Sequence, residues 1–254
     1  MSLLRSRWLP LALLSAGLCG SLNAVDGVVL ISQVQALAGN VTPGDAPGFP
    51  VTISLPGSYR LSGNLTVPDA NTIAIQIAAD NVTIDLNGFS ILGPTVCTGT
   101  PAVTSCGPKG SGIGVQSSKS STTVFNGSIR GMGDAGIAID GAGAIIDRVT
   151  AFSNGNAGFE LHGGRLTGNT ATSNGGNGFQ ADNSTLTGNT AIGNGGGFQC
   201  NQCTVSGNTA NSNNQGFFIY CPSPVIGNTA FGSVVSDNLF IVGAGCAVAN
   251  NAAP

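Results

Sequence analysis

The sequence predicts an all-β chain wound as a parallel β-helix, with a short helix closing its N-terminal end. Three observations carry this. A Gly followed by Ile or Phe recurs at Gly112-Ile113, Gly136-Ile137, Gly158-Phe159, Gly178-Phe179, Gly197-Phe198 and Gly216-Phe217, in steps of 24, 22, 20, 19 and 19 residues. A second marker, Gly-Asn-Thr, starts at Gly168, Gly188, Gly207 and Gly227 and keeps phase with the first over four copies. No unit between markers has room for a helix and a strand together. A fixed period near 20 residues is the mark of a stacked repeat, each unit burying its face against the next.

Each unit reads as three short strands. In one copy they are Gly158 to Leu161, Arg165 to Gly168 and Thr170 to Thr172. Alternation puts Phe159, Leu161 and Leu166 inside and Glu160 and Thr167 outside. Gly and Asn at the breaks tolerate left-handed backbone. Identical positions then stack about 4.8 Å apart. Asn169, Asn189, Asn208 and Asn228 should form a ladder, amide on amide. About eight turns are expected, from Ile73–Ile77 to Asn238–Ile241. An exposed core end needs a cap. Asp26 as N-cap, Leu30, Ile31, Val34, Leu37 and Ala38 on one face and Gly39 as terminator predict a helix near 28–38. Residues 25–70 then hold this cap and lead-in strands, and 71–254 the repeats.

Composition fits a coil and excludes other classes. Only 7% of the 254 residues are charged, against roughly 25% in an ordinary globular chain. Eight Lys and Arg against eleven Asp and Glu leave no basic surface for nucleic acid. Hydrophobic residues, at 41%, are too many for a disordered chain. Residues 1–24 have the layout of a secretory signal peptide: Arg5 and Arg7, an apolar stretch from Trp8 to Leu18, and a small-residue end at Ala24. Its removal leaves six cations and eleven anions, and a secreted or periplasmic protein with no membrane span. Six cysteines then remain, an even number that an oxidising compartment would pair. Cys97 is expected to bridge Cys106 across a surface loop. Cys200, Cys203, Cys221 and Cys246 are expected to pair among themselves, in an order the sequence leaves open.

The run from Leu55-Pro56-Gly57-Ser58-Tyr59-Arg60-Leu61 to Asn64-Leu65-Thr66-Val67, followed by Ala79 to Phe89, resembles the opening of secreted bacterial right-handed parallel β-helix proteins. The Gly-Asn-Thr and Gly-Phe units are similar to the repeats of the same pectate-lyase-like superfamily. The resemblance spans roughly 26–250. It implies a right-handed coil and no particular activity, because lyases, hydrolases, epimerases and adhesins share the scaffold. The family's Asn-Thr-Asp, Asp-Asp, Gly-His-Gly and Arg-x-Lys catalytic patterns do not occur here.

One constellation stands out when turns are aligned on the Gly marker. The outward column two places on reads Ala138, Glu160, Gln180, Gln199, Phe218. The column four places on reads Asp140, His162, Asp182, Asn201, Tyr220. Asp140 and Asp182 should therefore flank His162, the chain's one histidine, with Glu160 beside it. Carboxylates near a histidine suit acid–base work on a sugar. They are equally the polar residues that any solvated sheet face needs. Gln180, Gln199, Asn201, Phe218 and Tyr220 are the expected sugar contacts. Arg165 is placed at the border of this face. Asp85, in Ile84-Asp85-Leu86-Asn87, reads as a turn-forming residue, and Arg148 beside Asp147 as a surface pair. The expected function is non-catalytic binding of an extracellular polysaccharide or surface partner. A lyase or glycoside hydrolase with a divergent site is the alternative. No cofactor is called for. Calcium would enter only to bridge a strongly anionic polymer to this anionic surface.

Overall fold

The computed structural model describes residues 27–254. The expected signal peptide, residues 1–24, and the expected N-cap Asp26 lie outside the described residues. A turn of the coil has three strands, or two where the second and third run together, as in Thr123–Arg130 and Ala144–Phe152. In one turn the strands are Phe159–His162, Gly164–Thr167 and Thr170–Thr172. Corresponding strands pair in parallel with those one turn away, building a nine-stranded and a sixteen-stranded sheet. Nine stacked strands make nine turns, one more than the marker spacing suggests. The coil starts earlier, because Val51–Ile53 already pairs in register with Ile75–Ile77.

The interior is built from columns of identical side chains. Phe159, Phe179, Phe198 and Phe217 are buried and stack with centroids 4.9, 4.7 and 4.7 Å apart. Such offset stacks add to the apolar area each ring buries. Leu166, Leu186, Val205 and Val225 form a second inward column. The expected Asn ladder is present. Asn169 Nδ2 donates to Asn189 Oδ1 at 3.0 Å, and the pattern repeats through Asn208 and Asn228 to Asn251. A second ladder, which the sequence reading missed, joins Asn154, Asn174, Asn194 and Asn213 at 2.9–3.0 Å. Every ladder amide except Asn154 also donates to a backbone carbonyl, as Asn189 does to Leu166. Polar groups are thus matched inside a dry core.

The two repeat glycines serve different ends. Gly188 of Gly-Asn-Thr has φ +65°, which an L side chain rarely adopts. Gly197 of Gly-Phe is needed for space: a Cβ there would lie 2.2 Å from the Gly216 carbonyl oxygen one turn on. In the turn holding Val115–Ser117 the equivalent glycine is Gly114, since Val115 registers with Ile137. Gly112-Ile113 was therefore two residues out of phase.

The N-terminal helix is shorter than expected. Residues Val28–Ile31 are a strand, paired in parallel with Ser58–Leu61. The run Val28-Val29-Leu30-Ile31, three of its four residues β-branched, suits that edge better than a helix. Only Gln33–Ala38 is helical, started by a Ser32–Gln35 capping box and ended at Gly39. Val34 and Leu37 are 76% and 56% exposed, and Ala36 alone of the helix is buried. The expected plug over the first turn is thus a single small residue.

Cys97 and Cys106 are bridged in the hairpin formed by Val96–Thr98 and Ser105–Gly107. The hairpin lies along corners of later turns, with the Cys97 N–H donating to Ser153 Oγ and the Val103 N–H to the Gly193 oxygen. Cys221 bridges Cys246. The expectation that the last four cysteines all pair fails for Cys200 and Cys203, which are buried thiols. Each fills a slot in its own column. Cys200 stacks between Ala181 and Ile219. Cys203 donates through Sγ to Ala181 O at 3.3 Å, at the corner where Ser184 and Ser223 stand in the neighbouring turns. No helix among the described residues is long and apolar enough to cross a membrane.

Candidate functional site on the nine-stranded sheet

The outer face of the nine-stranded sheet is one strip of polar side chains. Strand register places Thr52, Gln76, Gln116, Ala138, Glu160, Gln180, Gln199, Phe218 and Phe240 in a single column. They point outward because the residues on either side of each from Thr52 to Phe218, such as Phe159 and Leu161, are buried, and those beside Phe240 are partly so. The neighbouring column continues from His162 through Asp182, Asn201 and Tyr220 to Val242.

His162 stands between two carboxylates. Its Nδ1 is 3.1 Å from Asp140 Oδ1 and its Nε2 is 3.3 Å from Asp182 Oδ2. Its side chain is about half exposed, so solvent and ligand both reach it. Glu160 lies in the adjoining column. Burial pushes its carboxyl above the usual carboxylate range, Asp134 adds to this, and His162 works against it. A carboxyl so placed keeps its proton to higher pH and can donate it.

Two hollows flank this group. One, of about 380 Å³, is lined by Gln76, Gln116, Ser117, Ser118, Asp140, Glu160 and His162 among others. The other, of about 250 Å³, is lined by Gln180, Asp182, Gln199, Asn201 and Tyr220, with Ala181 and Cys200. Asn177 Nδ2 donates to Gln199 Oε1 at 2.8 Å and fixes that amide. Beyond the second hollow Phe218 meets Tyr220 edge to face and stacks on Phe240, with centroids 5.0 and 5.3 Å apart.

The four candidate acid–base residues and the five candidate contacts therefore share one face. Sequence reading missed Gln76, Gln116, Ser117, Ser118, Asn177 and Phe240. Counting the turn of Val115 from Gly114 would have placed Gln116 in the Glu160 column. Arg165, expected at the border of this face, belongs instead to Gly164–Thr167 of the sixteen-stranded sheet. Asp85 is a turn residue: its Oδ1 accepts the Asn87 N–H at 2.7 Å, and its Oδ2 meets Arg60 Nε at 3.0 Å. Arg148 pairs with Asp147 at 2.8 Å on the surface.

A coil of stacked three-strand turns with a polar outer strip defines a β-solenoid with a candidate ligand face. A family model described as "Right handed beta helix region" matches residues 111–253, more than half of the chain, and the chain belongs to that family. Among solved structures it is similar to the A-module of the Azotobacter vinelandii mannuronan C-5 epimerase AlgE4, at 16% identity and a TM-score of 0.56 over 85% of this chain and 70% of that one. It is also similar to the Dettilon tailspike protein (gp208), at 14% identity and a TM-score of 0.42 over 80% of this chain and 46% of that one. The likeness to the epimerase module is one of fold. No curated protein sequence matches the chain.

Proposed function

We propose that this is an exported protein that binds a polysaccharide lengthwise along the outer face of the nine-stranded sheet. The observation that carries the reading is the run of outward side chains from Gln76 to Phe240, polar or aromatic at every turn except that of Ala138. A long polymer suits such a strip, because successive sugars meet successive turns. The amides supply hydrogen bonds, and Phe218, Tyr220 and Phe240 supply faces on which sugar rings stack. Asp140, Glu160 and Asp182 make the strip acidic, which favours a neutral glycan over a polyanion. A structure sharing this fold is named for its action on mannuronan, in keeping with a saccharide ligand. The two disulfides fit an oxidising, extracytoplasmic compartment.

A second reading is favoured by Glu160 alone. A carboxyl whose affinity for its proton is raised by burial, beside His162, is the kind of group a glycoside hydrolase or lyase uses as its acid. A panel of neutral and acidic polysaccharides, scored for binding, for new reducing ends and for unsaturated-product absorbance, tests both. Binding without turnover is the expected result. Turnover that Glu160→Gln abolishes would favour the enzyme. Neither binding nor turnover with any glycan would remove both readings.

A further inference from the structure

The nine-stranded sheet is closed at one edge and open at the other. At its first strand Val51 and Ile53 are fully buried, and the edge groups of Thr52 are taken. The Thr52 N–H donates to Asp45 Oδ1 at 2.7 Å, and its carbonyl accepts from Thr42 Oγ1 at 2.6 Å. At the opposite edge Leu239–Val242 is the outermost strand. The carbonyls of Asn238 and Val242 accept from the N–H groups of Phe217 and Cys221, one turn back. Leu239 and Ile241 therefore turn their own N–H and C=O groups to the free edge. Nothing bonds them there among the described residues. Their side chains, with Ala253, form the floor of the core and are only partly buried.

Exposed apolar groups gather around this edge. Of the thirteen large hydrophobic residues exposed among the described residues, seven lie between Tyr220 and Val248, with Val235 at 76% and Val248 at 49%. Such a gathering marks an interaction surface. Edge strands are ordinarily guarded by a Lys, a Pro or a bulge. The run Leu239-Phe240-Ile241-Val242 has neither Lys nor Pro. Asp237 is the one charged side chain after Asp182, so two copies of this end set almost no charge against each other.

We infer that this end of the coil docks on the same end of a second copy, related to it by a two-fold axis. An axis through Leu239–Val242 sets that strand antiparallel to its own copy and gives the free groups of Leu239 and Ile241 their partners. The floor of one core then closes the other. A turn of nineteen residues, at about 3.3 Å each, has a perimeter of about 60 Å and, side chains included, an end face of roughly 600 Å². Two such faces bury about 1,200 Å², the lower bound of a stable interface. The contact closes at two copies, since a two-fold leaves no further end of this kind free. This inference is independent of glycan binding along the outer strip.

The test is sedimentation velocity and small-angle X-ray scattering on the full chain cut after Ala24, from about 1 to 100 µM, where a small interface dissociates. The expected result is a monomer–dimer equilibrium whose dimer is close to twice as long as the monomer. Val248→Lys and, separately, Val235→Lys, each checked for folding by circular dichroism, should raise the dimer dissociation constant at least tenfold. Val34→Lys, at the opposite end of the coil, should leave it unchanged. A monomer throughout, a dimer no longer than the monomer, an open series of larger species, or a dimer indifferent to both lysines would each overturn the inference. A monomer that floats with phosphatidylcholine vesicles would overturn it as well and give this end to a lipid surface.

Discussion

The Nε2 atom of His162 lies 3.3 Å from the carboxylate of Asp182, one turn further along the coil. Its Nδ1 faces Asp140 in the same way. A neutral imidazole has one N–H and the charged form has two, so both contacts are hydrogen bonds only in the imidazolium form. This arrangement sets His162 between two acids one turn to either side, with Glu160 in the adjoining column. The double variant His162→Ala with Asp182→Asn should weaken binding of a neutral polysaccharide about tenfold. Thermal unfolding should move by only a few degrees, since exposed pairs contribute roughly 0–1 kcal/mol. Calorimetry and circular dichroism check the two halves. Unchanged affinity would mark the face as solvated surface.

Glu160 gives a pH signature. Its carboxyl is raised in the folded protein, so between the ordinary carboxylate range and the raised value the folded chain holds a proton that the unfolded chain has lost. Stability must fall as pH rises through that window. Glu160→Gln should remove this slope and be at least as stable at neutral pH. Urea unfolding of both proteins from about pH 4 to 8 reads the difference. Equal slopes would place the carboxyl in water.

Asn189 tests the ladder. It is 1% exposed and makes four bonds. Its Oδ1 accepts from the backbone N–H and Nδ2 of Asn169, and its Nδ2 donates to Leu166 O and Asn208 Oδ1. Asn189→Ala strands these partners in a dry interior and should cost about 3 kcal/mol or more. Thr187→Ala, two residues away and exposed, should stay within about 0.5 kcal/mol. Denaturant midpoints of the two variants decide the point.

Thiol chemistry separates the cysteines. Denatured without reductant and alkylated, a chain cut after Ala24 should take label at Cys200 and Cys203 and nowhere else. Peptide mapping should recover Cys97 linked to Cys106 and Cys221 linked to Cys246. In the native protein both thiols should react slowly, since both are buried and burial pushes the Cys200 thiol well up. A linked Cys200–Cys203 peptide would contradict the structure.

What was legible in the sequence is what the stack repeats. Phe159, Phe179, Phe198 and Phe217 recur because each sits on the last, and the Gly before each is required by the backbone one turn away. The face around His162 was legible for the same reason, since register carries a column from turn to turn. The second ladder was missed because its surroundings vary. Asn174 follows Ser173, Asn194 follows Gly193, and Asn213 precedes another Asn, so no fixed triplet marks it. The N-terminal helix failed because Leu30, Ile31, Val34 and Leu37 satisfy a helical period by accident. Pairing with Ser58–Leu61 is a long-range event that periodicity does not record. The Cys200–Cys203 expectation failed because an even count speaks to pairing in general and not to which thiols already have a place in the core.

The register Thr190–Ile192 on Thr209–Asn211 means that one turn here is nineteen residues, corner to corner. A chain lacking residues 193–211 would join Ile192 to Ser212, and the turn below would meet the turn above in the same alignment. Phe179 would come to rest on Phe217, Asn189 on Asn228, and Gln180 beside Phe218. Both free thiols would leave with the excised segment. The molecule is in this sense graduated: its outer strip can be shortened by one step of about 4.8 Å. A ligand chain that spans the whole strip would feel the missing step, and one held at a single hollow would not.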